Sequence, residues 1–224
     1  MRPFQHVHPY PPFLFEAATK WIVGTLPPPR FTQGILRPLD VDFCYGSRDG
    51  QLWPILNRIF SLDLPFETSI RAIEARKRFL RERGIGICDI VDRAEREAIN
   101  ASDLGLQNIQ LRDLLGMLRK FPKVTQLLFT GGNSKNGPEY LFRKLLKENG
   151  LRLELVSDAV PRIHQFPLPG AESADRIITT VSLTAPSGSA NRAVGSIPEY
   201  KARKAKDPGY TVMDFRVEQY REFF

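Results

Sequence analysis

Cysteine is nearly absent from this chain: Cys44 and Cys88 are the two among 224 residues. Their separation suits neither a zinc site nor a disulfide framework, so a reducing, cytoplasmic setting is expected. Long apolar runs are missing as well, and no segment approaches the about 20 residues that a membrane-spanning helix needs. The opening Met1-Arg2-Pro3-Phe4-Gln5-His6-Val7-His8-Pro9 has no continuous apolar stretch of the kind that a secretory signal carries. Neither membrane insertion nor secretion is expected. There is no GxGxxG after the first strand, no Walker A sequence, no HExxH and no cysteine cluster, which leaves nucleotide-cofactor and zinc chemistry without support. No cofactor and no metal are expected. Histidine is scarce, at three residues. His6 and His8 alternate in an extended proline-rich arm, where packing roles are commoner than metal pairs. His164, among Pro161, Phe166 and Pro167, reads as structural. Acidic residues are outnumbered, 25 against 32 basic, which gives a net charge of +7. That balance suits a polyanionic partner without requiring one.

What is present is enough apolar sequence, 42% of the residues, to bury one sizeable core. One domain over residues 1–224 is expected, with 1–19 as a proline-rich arm packed on it. Short apolar runs at Lys20 to Thr25, Gln126 to Thr130, Arg152 to Val156 and Arg176 to Leu183 read as strands. Helical patterns at Leu52 to Phe60, Ser69 to Arg83, Leu111 to Arg119 and Glu139 to Glu148 alternate with them, which predicts an α/β fold with a mainly parallel sheet. Further helices are expected from near Pro198 and from Asp214 to Phe223. The basic face of Ser69 to Arg83 reads as solvated. The run Trp21-Ile22-Val23-Gly24 breaks into Thr25-Leu26-Pro27-Pro28-Pro29-Arg30, because three prolines cannot continue a central strand. Gly131 to Gly137 and Ala185 to Arg192 follow later strands in the same way. Three such loops reach the C-terminal edge of the sheet, where open α/β sheets bind ligands.

Tyr45, set among Gly46, Ser47, Arg48 and Asp49, either stacks a planar base or packs in the core. Trp53, followed by Ile55, Leu56 and Ile59, reads as core. Asn133 offers an amide that either meets the edge of a base or caps a turn.

Five segments fall in a telling order: Gly24-Thr25-Leu26-Pro27-Pro28, Leu52-Trp53-Pro54-Ile55-Leu56, Gly86-Ile87-Cys88-Asp89-Ile90-Val91, Ala101-Ser102-Asp103, and Ala185-Pro186-Ser187-Gly188-Ser189. Together, over residues 20–200, they resemble the uracil-DNA glycosylase superfamily, closest to the branch of hypoxanthine-DNA and mismatch-specific uracil-DNA glycosylases. The resemblance implies a three-layer α/β/α sandwich with a central four-stranded parallel sheet. It implies a monofunctional repair enzyme that flips a deaminated base, uracil or hypoxanthine, out of DNA and hydrolyses its N-glycosidic bond without metal. The partner would be DNA with a damaged or mismatched base, bound by a monomer. Carried onto this chain, substrate would be held by Gly24, Thr25, Leu26, Pro27, Tyr45 and Asn133, and DNA by Ser187, Gly188, Ser189, Asn191 and Arg192. Two departures stand out. Leu26 occupies the place of a water-positioning Asp or Asn, and Ala185 the place of a His or Asn. The asparagine that the closest branch carries before its Phe-Trp pair falls at Gly50, so Asp49 beside it is the candidate for orienting water. The alternative is a nucleic-acid or nucleotide-binding module that keeps the pocket without catalysis.

Overall fold

The structure, a computed structural model, describes residues 3–170 and 175–224. Met1 and Arg2 of the expected arm lie outside them. In chain order the strands are β1 (Phe4–Val7), β2 (Lys20–Val23), β3 (Ile85–Ile87), β4 (Val91–Arg96), β5 (Gln107–Leu111), β6 (Gln126–Phe129), β7 (Glu154–Ser157), β8 (Arg162–Leu168) and β9 (Arg176–Ser182). The helices are α1 (Pro29–Thr32), α2 (Leu52–Phe60), α3 (Ile70–Glu82), α4 (Leu114–Lys120), α5 (Pro138–Glu148), α6 (Asn191–Gly195), α7 (Pro198–Lys206) and α8 (Val212–Arg221).

The main sheet is mixed and six-stranded, in the order β3-β2-β6-β9-β8-β7. Its first four strands pair in parallel, whereas β8 runs antiparallel to both β9 and β7. The expected central sheet of four parallel strands is therefore corrected to a mixed sheet. The expected strand at Arg152 to Val156 is the edge strand β7, and the fourth parallel strand is β3 on the opposite edge. A second sheet, β1-β4-β5, is antiparallel and draws the N-terminal arm onto the domain.

The pleat explains why β2 and β6 read as unbroken apolar runs. Successive side chains of a strand point to opposite faces, and both faces of this sheet are covered. Trp21, Val23, Leu127 and Phe129 pack with Leu114, Leu118, Leu141 and Phe142 of α4 and α5. Ile22 and Leu128 pack on the other side with Trp53 and Leu56 of α2, Phe79 of α3 and Tyr220 of α8. Each fully buried side chain of this size stabilises the fold by about 2 kcal/mol.

Trp53 is a core residue, as its neighbours predict, and its indole Nε1 donates to the Cys44 carbonyl at 2.9 Å. His6, His8 and His164 are all buried within the fold. The start of α4 differs from the expected Leu111. Residues 107–111 pair as β5, and the Asp113 carboxylate accepts from Gly116 N–H at 2.8 Å, which caps the helix at its true beginning. The basic face of α3 is also not wholly solvated. Arg76 is fully buried, its guanidinium 5.2 Å from the Trp53 ring and 5.0 Å from the Phe66 ring, and it donates to the carbonyls of Pro65 and Ala72. Among the described residues no helix is long and apolar enough to cross a membrane.

Candidate functional site

The proline turn after β2 and the loop after β3 meet at the C-terminal edge of the sheet. Gly24 N–H donates to Asp89 Oδ1 at 2.7 Å, and Ile90 N–H donates back to the Gly24 carbonyl at 2.9 Å. The Tyr45 hydroxyl donates to the same Asp89 oxygen at 2.6 Å, and His8 Nε2 stands 2.9 Å from Oδ2. Because His8 Nδ1 accepts from Tyr10 N–H, its proton lies on Nε2 and faces the carboxylate. Burial works to raise the Asp89 carboxyl, but the donors from His8, Tyr45 and Gly24 outweigh it and hold the group below the usual carboxylate range. Both of its oxygens are occupied, so Asp89 is a clamp. Tyr45 itself sits at φ 59, a left-handed conformation uncommon for an aromatic residue, and its bond to Asp89 helps to hold it there.

The next residue carries a second carboxylate. Thr25 Oγ1 donates to Asp103 Oδ1 at 2.9 Å. Asp103 opens a 3-10 turn ending at Gly105, and the buried amide of Asn136 fixes that turn by donating to the carbonyls of Asp103 at 2.9 Å and Leu106 at 3.0 Å. Burial pushes the Asp103 carboxyl up to about 6, against the pull of Thr25 and Arg96. Two adjacent residues thus hold one carboxylate ionised and one poised near neutrality, the kind of division that separates roles in hydrolytic sites.

His6 and Asp103 contribute to pH dependence in opposite senses. His6 is buried against Arg96, whose Nε donates to His6 Nδ1 at 2.7 Å. Burial first, and then the Arg96 charge, pull the His6 imidazole from 6.5 to about 4. Between those values the unfolded chain binds a proton that the folded chain refuses, so the His6 contribution to stability rises with pH. Asp103 acts in the opposite sense: its contribution is full below 3.8 and is lost as pH rises through about 6. Asp103→Asn removes the falling contribution and leaves that of His6 in place. Urea midpoints are expected to give a variant whose stability climbs by about 1 kcal/mol per pH unit between pH 4 and 6 relative to wild type. Parallel stability curves for the two proteins would refute this assignment.

The structure brings Gly24, Thr25 and Tyr45 together, with Pro27 continuing the same turn. Leu26 instead packs against the apolar cluster on the Trp21 side of the sheet. The Asp49 side chain is 67% exposed and 3.7 Å from Arg30 Nη2. Arg30 is engaged by the buried Asp40, donating from Nε at 2.9 Å and Nη2 at 2.8 Å, and it also donates to Ser47 Oγ at 2.8 Å. Asn133 is exposed, and the buried asparagine of that loop is Asn136.

The segment after Asp49 does reach the closing loop. Gly50 bridges Ser187, and Gln51 N–H donates to the Pro186 carbonyl at 2.8 Å. Arg216 of α8 ties the two segments together by donating to Gln51 Oε1, to Asn191 Oδ1 at 2.7 Å and to the Ser187 carbonyl at 3.1 Å. Asn191 therefore spends its side-chain oxygen within the protein, Ser187 and Ser189 pair their hydroxyls at 2.9 Å, and Gly188 and Arg192 are exposed.

Sequence reasoning missed the roles of Asp89, Asp103, His8, Asn136 and Arg216. Asp89 had a weak signal, an acid just after the apolar Ile85-Gly86-Ile87, at a strand's C-terminal end. Asp103 sits in a polar stretch without periodicity. Compared with known protein families, with curated proteins and with solved structures, the chain matches none.

Proposed function

We propose that this protein is a DNA glycosylase that hydrolyses the N-glycosidic bond of a deaminated base, uracil or hypoxanthine. The observation that carries the reading is the Gly24-Thr25 pair just after β2, which holds two carboxylates: Asp89, clamped by Gly24 and the Tyr45 hydroxyl, and Asp103, bonded by the Thr25 hydroxyl. The finer fold reading belongs with it. It is supported by the parallel pairing of β3, β2, β6 and β9 and by helices packed on both faces of the mixed sheet.

In this reading the flipped base enters beside Tyr45, with unstacking costing a few kcal/mol that a mispaired base reduces. The leaving base departs as an anion, so the reaction needs an activated water and a rigid wall more than a redox or group-transfer partner. The closing loop, locked to residues 50–51, carries the exposed Arg192 toward a phosphate backbone, in keeping with the +7 charge.

End-labelled single and double strands carrying uracil, hypoxanthine or xanthine, treated with protein and then alkali, test the reading. Scission at the lesion and none on undamaged strands is expected. A folded protein that cleaves none of them overturns it, and salt-dependent binding without cleavage would select the binding-module alternative.

A further inference from the structure

The positions that the resemblance offers for activating water are poorly equipped here. Leu26 is apolar and packed inward, Gly50 has no side chain, and Asp49 is exposed beside Arg30. We propose that Asp103, held by Thr25 at the C-terminal edge of β2, is the catalytic residue that binds the attacking water and takes its proton. The proposal rests on the glycosylase reading above.

Geometry sets Asp103 apart from Asp89. Its Oδ1 is fixed by the Thr25 hydroxyl at 2.9 Å, and among the described residues no donor reaches Oδ2. One oxygen is thus oriented and the other is free to accept. Asp89 is the contrast, with Oδ1 taken by Gly24 and Tyr45 and Oδ2 by His8. The turn bearing Asp103 is immobilised from beneath by the Asn136 amide and from the side by Arg96 Nη1, which donates to the Ser102 carbonyl at 2.5 Å. A general base must be held in this way to keep water in line with a sugar carbon.

The electrostatic surroundings agree. The groups facing Asp103 are Thr25 from the turn after β2, Arg96 from β4 with His6 of β1 behind it, and Asp89 from the loop after β3. Burial outweighs the Arg96 cation, and the Asp89 charge adds to it, which leaves Asp103 able to accept a proton near neutrality. In the step itself, a water O–H proton passes to Asp103 Oδ2 as the water oxygen bonds to C1′ of the deoxyribose. The bond from C1′ to the base nitrogen breaks, and its electron pair leaves on the base. The proton returns from Asp103 to that nitrogen, restoring the carboxylate, so that one water is consumed and a free base and an abasic sugar are formed.

Single-turnover excision of uracil from an oligonucleotide, measured from pH 4.5 to 8 with wild type and Asp103→Asn, tests the assignment. The wild-type rate is expected to rise through pH 6 and level off. The variant is expected to be slower by about 10² to 10⁴, the usual contribution of a positioned general base, and to lose that inflection. Asparagine keeps the volume and can still accept from Thr25, so the urea midpoint at pH 7 should not fall below that of wild type and lesion binding should persist. A variant that excises within about 3-fold of wild type, or one that is slow but keeps the inflection, overturns the role of Asp103 and leaves the glycosylase reading standing. Wild type that excises no lesion overturns both.

Discussion

Gly24→Ala is expected to abolish the site while leaving most of the fold in place. A Cβ at this position would collide with the Tyr45 hydroxyl and stand 2.9 Å from Thr130 Oγ1 and 3.0 Å from Asp89 Oδ1. None of these atoms is the free end of a flexible chain. Tyr45 is held in its left-handed turn, and Asp89 is clamped by His8. To make room, the phenol must give up its bond to Asp89. Overpacking costs about 1–3 kcal/mol, and a lost hydrogen bond to a charged group about 1.5–3 kcal/mol. Urea unfolding should therefore report a loss of about 3–5 kcal/mol, and, on the proposed glycosylase reading, excision should fall at least about 100-fold, because displacement by about 1 Å near reacting atoms has that effect. Gly188→Ala is the control: a Cβ there meets nothing within 4 Å, and its unfolding midpoint should match wild type. A Gly24→Ala protein as stable and active as wild type would show that the Gly24, Tyr45 and Asp89 contact is incidental.

The second large effect is expected at Arg216. Its guanidinium is fully buried, and its three acceptors are neutral oxygens from Gln51, Ser187 and Asn191. Burial draws its pKa below the usual arginine value, yet the planar fork still reaches acceptors on two separate loops at once. Arg216→Ala removes every one of these bonds and should cost about 2–4 kcal/mol, with each bond from a charged donor contributing on the scale of 1.5–3 kcal/mol before the relief of desolvation. Arg216→Lys should recover less than half of that, since an ammonium cannot span both loops. The diagnostic readout is hydrogen exchange at Gln51, whose N–H is bonded to the Pro186 carbonyl. Faster exchange at this amide, with unchanged protection in β2 and β6, is the expected pattern. Uniform protection across both variants would mean that Arg216 does not hold the loops together.

Much of the scaffold could be read from local pattern. Helix α2 begins and ends where the apolar spacing places it, and β2, β6 and β9 announce themselves as buried runs because both faces of the sheet are covered. What escaped depends on partners distant in the chain. Strand β3 is three residues long, too short for a period to register, and is recruited by pairing with β2. The β7–β8 hairpin has the composition of ordinary strands, so its direction follows from pairing rather than from its own residues. The charged stretch Val91–Arg96 forms a strand because β1 and β5 flank it.

The site follows the same division. Gly24 and Tyr45 could be named because a proline turn and an aromatic ring among small residues leave a local mark. Asp89 and Asp103 could not, because their significance arises from contacts across 65 and 78 positions of sequence. Asp49 is the sequence's candidate because it adjoins Gly50, the place of the asparagine that the resemblance implies. In space its partner is Arg30, at the solvent-facing side of the Asp40 network.

The clasp formed by Arg216 also orders events in time. It follows, along the chain, every residue that it joins, with 165 positions separating it from Gln51. A ribosome releases residues in sequence, so a growing chain can pair the strands of its central sheet while the loops at residues 50–51 and 186–191 still lack their shared tie. The tie between these loops is thereby deferred to the emergence of α8. A nascent chain truncated anywhere before that helix would carry both loops without the residue that joins them.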